Sequence, residues 1–254
     1  LEEVFPETPY MGCSTSGNIV DCQVSGEMTV VCTVLEDRDT QIKVLQYDMD
    51  ASPISEITRQ VIEETERNPW VKAMELYCTI PENSTTNFCV GLKDVRPDIQ
   101  IFGGISCSQD ITSSDSVVFS KGGGYATKSV VLVFYGGERF YVDSMKITGW
   151  KPLGRKFYIT KSEGSILQEL DGFPAYQVYQ KYLKIQNDEN FFYHTLEFPM
   201  FYEHNGTTIL RVPVASNPDD SITMSSDMDV GSVVRISYGD PATIVDSIKA
   251  AGVE

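Results

Sequence analysis

Histidine is nearly absent: the 254 residues include only His194 and His204. That scarcity leaves few side chains able to move a proton near neutral pH or to bind a transition metal. Basic residues are also few, 20 Lys and Arg against 36 Asp and Glu, for a net charge of −16. Such a balance argues against a nucleic-acid backbone or an anionic membrane as partner, and its plainest consequence is solubility. No apolar run approaches the roughly 20 residues that span a bilayer. The opening Leu1-Glu2-Glu3 has neither the basic nor the apolar region of a signal peptide. The six cysteines (Cys13, Cys22, Cys32, Cys78, Cys89 and Cys107) form no CxxC and follow no regular spacing. No zinc cluster is therefore expected, and the chain reads as cytoplasmic with reduced thiols. Cys32 and Cys78 lie in apolar strand-like runs and are expected to pack as small hydrophobes. On that reading the sequons at Asn83-Ser84-Thr85 and Asn205-Gly206-Thr207 are chance matches.

What the chain does have is aromatic residues, with 13 Tyr and 12 Phe, and enough length for one large domain or two modest ones. Residues 28–35 (MTVVCTVL) read as a buried strand, 36–39 as a polar turn and 42–47 as the returning strand of a hairpin. Ser52-Pro53 fits an N-cap followed by Pro at N1, ahead of a helix carrying Ile54, Ile57, Val61 and Ile62 and ending before Asn68-Pro69. A strand over 73–80, a helix capped by Asn83 or Ser84 and running to about Asp94, and a strand over 99–102 suggest a parallel crossover. Further strands are expected at 116–120, 127–135 and 139–147, with Gly136-Gly137 as a two-residue hairpin turn. Beyond these come a short pair around Gly164, a helix opened by Pro174, and strands flanking His204-Asn205-Gly206. Strands over 222–224 and 232–237 and a last helix from Asp240-Pro241 complete the chain. The class is α+β, mixed β-sheets with flanking helices in two linked halves.

The loop Gly12-Cys13-Ser14-Thr15-Ser16-Gly17 sets one thiol and three hydroxyls between two glycines. Its N–H groups and hydroxyls can cradle a carboxylate or phosphate. Equally, the hydroxyls can bond their own backbone in a tight connection. Gly103-Gly104 at a strand end suits a close-approach loop, or a bulge. Arg211, among Ile209, Leu210 and Val212, needs a carboxylate from the protein or from a ligand. As a nucleophile, Cys13 would need a base and an oxyanion donor. Neither His194, beside Phe191-Phe192-Tyr193, nor His204 has an evident orienting carboxylate. His194 is the better axial candidate for haem, although a histidine among aromatics is ordinarily a packing residue. Trp150 and Tyr176 can wall a pocket or fill a core.

Taken in order, these segments resemble the FIST domain, a sensory module of bacteria and eukaryotes. The loop at Gly12–Gly17 resembles that of its N-terminal half. Gly103-Gly104-Ile105-Ser106, followed by Asp110, resembles its second glycine motif, with Ser106 replacing a small apolar residue. Gly149-Trp150-Lys151-Pro152-Leu153-Gly154, Ile159-Thr160, Leu170-Asp171-Gly172-Phe173-Pro174-Ala175 and Tyr179 are similar in order and spacing to the C-terminal half. Arg211, Asp220-Ser221-Ile222 and Gly231-Ser232-Val233-Val234-Arg235 continue that pattern. The leading strand and helix of such a half are missing before Gly12, so the sequence is expected to start inside it.

The resemblance implies a non-enzymatic, cytoplasmic sensory input domain of bacterial type. Residues 1–148 would be the FIST N-like half, 149–240 the FIST C-like half, and 241–254 a helix leading toward an output domain. That output would be of kinase, diguanylate cyclase or chemotaxis type. A small ligand, an amino acid or another organic anion, would be held by Gly12, Cys13, Ser14, Thr15, Ser16, Gly103, Gly104 and Arg211, between or beside the halves. One branch of the family binds haem, for which His194 is the candidate here; otherwise no cofactor or metal is expected. A protein-interaction domain without a small ligand, and a hydrolase or transferase built on Cys13, are the alternatives from other classes.

Overall fold

The computed structural model describes residues 2–79, 85–110, 115–145, 147–204 and 207–252. The chain forms two compact units, Leu1–Ser144 and Met145–Glu254. Both combine β-sheet with helices, so the architecture is α+β as expected. Among the described residues no helix is long and apolar enough to cross a membrane.

The first unit opens with short strands β1 (Met11–Cys13), β2 (Asn18–Val20) and β3 (Gln23–Ser25). It continues through β4 (Gln41–Asp48), α1 (Ile54–Arg67), β5 (Val71–Cys78) and α2 (Thr85–Gly91), the last extended by a 3-10 turn over Leu92–Asp94. β6 (Gln100–Ile105), β7 (Val118–Ser120), β8 (Gly124–Ala126) and β9 (Ser129–Gly136) follow. In α1, Ile57 and Val61 stand one turn apart and are wholly buried. Its outer face is laced by Arg59 with Glu56 and Glu63 and by Arg67 with Glu63 and Glu64, pairs worth a few tenths of a kcal/mol each. The helix is preceded by Pro53 as N-cap residue, without a side-chain cap, and not by Ser52. The Ser52 N–H instead donates to the Asp48 carbonyl in the turn before it.

The main sheet runs β4-β9-β5-β6. β5 and β6 are parallel, joined through α2, which is the crossover the strand–helix–strand order suggests. One face packs against the helices: Met74, Cys78, Val130, Leu132 and Phe134 meet Phe88, Leu92 and Val95. Each large apolar side chain buried there contributes about 1.5–3 kcal/mol. A small sheet, β1-β7-β8, serves the other face. Gln46 of β4 donates to the Gly123 and Gly124 carbonyls and accepts the Ser120 hydroxyl at 2.6 Å.

Two expected strands do not form. Residues 28–35 are irregular, Met28, Val31 and Val34 are each more than 80% exposed (85%, 83% and 81%), and Cys32 is exposed, not packed. β-propensity makes a strand only where a ladder and a covered face exist; β4 finds both in β9, with which it pairs from Gln41 to Asp48. Residues 139–145 also carry no strand, so Gly136-Gly137 is not a hairpin turn. The Lys72 ammonium donates to the Glu138 and Phe140 carbonyls at 3.0 Å each, and Phe140 stacks on Tyr135. These contacts hold the segment as coil beside the sheet.

The second unit contains β10 (Trp150–Glu163), β11 (Ile166–Leu170), β12 (Phe173–Pro174), α3 (Ala175–Leu183) and α4 (Phe191–Leu196). β13 (Met200–His204), β14 (Thr207–Arg211), β15 (Pro213–Ser216), β16 (Ile222–Met224), β17 (Val233–Gly239) and α5 (Pro241–Ala251) follow. The sheet order is β14-β13-β17-β10-β11-β16-β15, with β12 on β11. β10 spans the middle because its first part pairs with β17 and its last part with β11. The core gathers Phe157, Leu167, Leu170, Tyr179, Met200, Tyr202 and Ile236, and the Tyr179 hydroxyl donates to the Phe198 carbonyl at 3.0 Å. α3 follows Pro174 as expected. α4 is new: Phe191 and Thr195, four apart, are its buried face. α5 starts with Pro241 after Asp240, but none of its residues is buried. The expected caps at Asn83 or Ser84, and Asn205-Gly206 of the expected turn, lie outside the described residues.

Candidate functional site

Alternation along β5 sends Met74 and Cys78 to the helices and Glu75 and Tyr77 to the opposite face. A carboxylate in so apolar a strand needs donors. It has two: the Tyr77 hydroxyl at 3.0 Å and the Tyr135 hydroxyl at 2.7 Å, one on each carboxylate oxygen. Tyr135 of β9 is registered with Ala73, which sets its ring diagonal to Glu75. Burial, and then the Glu75 charge, push the Tyr77 phenol up to about 12. Burial and the bond to Glu75 raise Tyr135 as well. Both phenols therefore remain protonated donors at neutral pH.

β1 brings the glycine-rich loop to this face. Gly12 is registered with Phe119, whose ring would lie 2.2 Å from a Cβ at position 12. The half-buried Cys13 thiol is raised by burial, then by Cys107 and by Glu75. Cys13 in turn contributes to the rise at Tyr77, so thiol, phenol and carboxylate share one environment. Ser14 is fully committed to holding the loop. Its N–H donates to the Val117 carbonyl at 2.9 Å, its hydroxyl accepts the Val117 N–H at 2.9 Å, and its carbonyl accepts the Cys107 N–H at 3.1 Å. The Thr15 hydroxyl donates to Asn18 at 3.2 Å, and Ser16 is exposed.

The second glycine motif lies on the edge strand β6, where Gly103 is registered with Leu76 and Gly104 with Tyr77. Gly103 has φ +138°, and a Cβ there would stand 1.8 Å from the Leu76 carbonyl oxygen. A Cβ at Gly104 would meet nothing within 4 Å. Beyond them Ser106 donates its N–H and its hydroxyl to the Cys78 carbonyl, at 2.8 and 3.1 Å. Through the Cys107–Ser14 bond the two glycine motifs are tied together. They border a ledge made of Glu75, Tyr77, Tyr135, Phe102 and the open space at Gly104, edged by Cys13.

Arg211 belongs to the second unit. Its guanidinium lies 5.6 Å from the centre of the Tyr202 ring, and its Nε donates to the Asp227 carbonyl at 3.5 Å. The Tyr202 hydroxyl donates to the Asp229 carboxylate at 2.7 Å, so Arg211 sits in a built network of its own unit. His194 is exposed on α4. Tyr176 fills the core, whereas Trp150 lines a groove. Among the described residues no group of three or more His, Cys, Asp or Glu could hold a metal ion.

Sequence reasoning passed over Glu75, Tyr77 and Tyr135. The available signal was a lone carboxylate inside the apolar run AMELYCTI with a phenol two residues on, which on a strand places both on one face.

The family model for the FIST N domain matches residues 1–172, and that for the FIST C domain matches residues 175–254. Neither the curated proteins nor the solved structures give a match. The two family matches meet after β11, while the compact units part between Ser144 and Met145. β10 and β11 thus fall in the FIST N match by sequence and in the second unit by packing.

Proposed function

Because the chain belongs to the FIST family, whose domains are generally associated with sensory signal transduction, we propose that it is a sensory input domain that binds a free amino acid on the β5–β6 ledge. The observation that carries this reading is Glu75, a carboxylate placed beside two glycine motifs. An α-amino acid offers an ammonium to Glu75 and a carboxylate to the N–H groups of residues 15–17 and the Ser16 hydroxyl. An organic anion without an ammonium would meet repulsion from Glu75, which makes it the weaker of the two ligand classes. Gly104 leaves room above Tyr77 for the ligand's side chain.

The role is binding, not catalysis. Burial and neighbouring groups hold the Cys13 thiol above its ordinary pKa, against the thiolate a nucleophile requires. The domain acts in the cytoplasm and passes its signal to a kinase, diguanylate cyclase or chemotaxis-type output, by a ligand-dependent shift between two states.

Thermal unfolding with each of the twenty amino acids, and with their deaminated acids, tests the reading. A ligand at one hundred times its Kd stabilises by about 2.7 kcal/mol, a shift of several degrees for a domain of this size. The expected result is a shift by at least one amino acid, absent for its deaminated acid and lost in Glu75→Gln. No shift with any of them, or the same shift in Glu75→Gln, overturns it.

A further inference from the structure

The second unit carries a separate groove of about 790 Å³. Trp150, Phe201, Leu210 and Arg235 line the sheet side, and Ile244 and Ile248 of α5 line the other. Phe201 is registered with Arg235 on β17 and with Leu210 on β14. The three side chains therefore share one face, opposite the core face of Met200, Tyr202 and Ile236. The volume is that of a small-molecule site.

The charges in this groove are unequal in their partners. Glu203 is matched by the Lys156 ammonium at 3.2 Å. Arg235 donates from Nη2 to the Gly154 carbonyl at 2.8 Å, while its Nε is shut off from solvent with no hydrogen-bond partner. With Nη2 engaged and Nε sealed, Nη1 is the guanidinium nitrogen a ligand can reach, and one charge-assisted hydrogen bond from it suits a carboxylate. The surrounding wall is apolar, and Ile248 on it remains 54% exposed. Those two features specify opposite ends of one ligand.

We propose that this groove binds an organic monocarboxylate with an apolar tail, its carboxylate on Arg235 and its tail along Phe201, Leu210, Ile244 and Ile248. The site is independent of the amino-acid ledge: it lies wholly in the second unit and needs no ammonium on its ligand.

Titration calorimetry of the whole chain with sodium octanoate and with 1-octanol tests the proposal. The wild type should bind octanoate at least about ten-fold more tightly than octanol, the worth of a charge-assisted hydrogen bond. Arg235→Gln should erase that preference and leave octanol binding unchanged. Ile248→Asp, on an exposed position of α5, should abolish octanoate binding by setting a hydrated charge in the track of the apolar tail; it serves as the deciding variant if circular dichroism shows Arg235→Gln to be unfolded. Equal affinity of the wild type for octanoate and octanol, no octanoate binding, or undiminished octanoate binding in Ile248→Asp overturns the proposal. A preference retained by folded Arg235→Gln does the same.

Discussion

Gly103 and Gly104 are neighbours on β6, yet the structure makes opposite demands on them. Gly103 has φ +138°, and a Cβ there would lie 1.8 Å from the Leu76 carbonyl oxygen. The clashing atom is backbone, so relief requires β6 to move away from β5. Strain of this kind costs about 1–3 kcal/mol, and loosening the parallel ladder adds to it, so Gly103→Ala should destabilise the first unit by roughly 3 kcal/mol. Gly104 has open space where its Cβ would stand, and a β-branched residue suits a strand. Gly104→Val should therefore change stability by no more than about 0.5–1 kcal/mol. Yet it should abolish the amino-acid shift in unfolding temperature, because its side chain occupies the space above Tyr77. Urea unfolding in a Trp150→Phe background isolates the fluorescence of Trp70, the tryptophan of the first unit. If Gly103→Ala unfolds within 0.5 kcal/mol of its parent (about the noise of a surface substitution), or Gly104→Val is as damaging as Gly103→Ala, the reasoning fails.

Three further outcomes follow from the same geometry. Tyr77 and Tyr135 should ionise last among the partly exposed tyrosines in an absorbance titration, and Glu75→Gln should lower both, since the Glu75 charge is one cause of each rise; unchanged curves would refute the network. The bond from Lys43, aided by Arg67, holds the Glu64 carboxyl below its ordinary value of 4.5. A depressed folded-state pKa gives stability that is present above the unfolded value and lost as pH falls below it. The unfolding temperature of the parent should thus fall more steeply than that of Glu64→Gln between about pH 5 and about pH 3, and parallel curves would contradict this. In alkylation by iodoacetamide at neutral pH, the exposed Cys22, Cys32 and Cys89 should react before Cys13, which is half-buried with a raised pKa, and before Cys78, raised to about 11 mainly by burial. Peptide mapping that found Cys13 labelled first would reopen a nucleophilic role.

The parts of this fold legible in the sequence were those set by local pattern. The apolar face of α1, the crossover through α2, Pro174 before α3 and Asp240-Pro241 before α5 all rest on residues a few positions apart. The run 28–35 misled because its β-branched residues report propensity, whereas a strand needs a partner, and β4 took β9 from far along the chain. The 139–147 segment misled in the same way: only the three-dimensional placement of Lys72 shows where its carbonyls go. The candidate site was half legible. Both glycine motifs were visible, and the Cys107–Ser14 bond joins them. The Glu75–Tyr135 bond was not, since it depends on the register of β5 against β9 across 60 residues. Arg211 was legible as a charge needing a partner, and its described partners lie within its own unit.

The ledge beside Gly12–Gly17 and Gly103-Gly104 is best tested by native mass spectrometry of the folded chain, before and after incubation with an equimolar mixture of the twenty amino acids. The account predicts a one-to-one complex, heavier than the chain by the mass of a single amino acid, that disappears in Gly104→Val. Bare protein alone after incubation, or a complex that Gly104→Val retains undiminished, would contradict it.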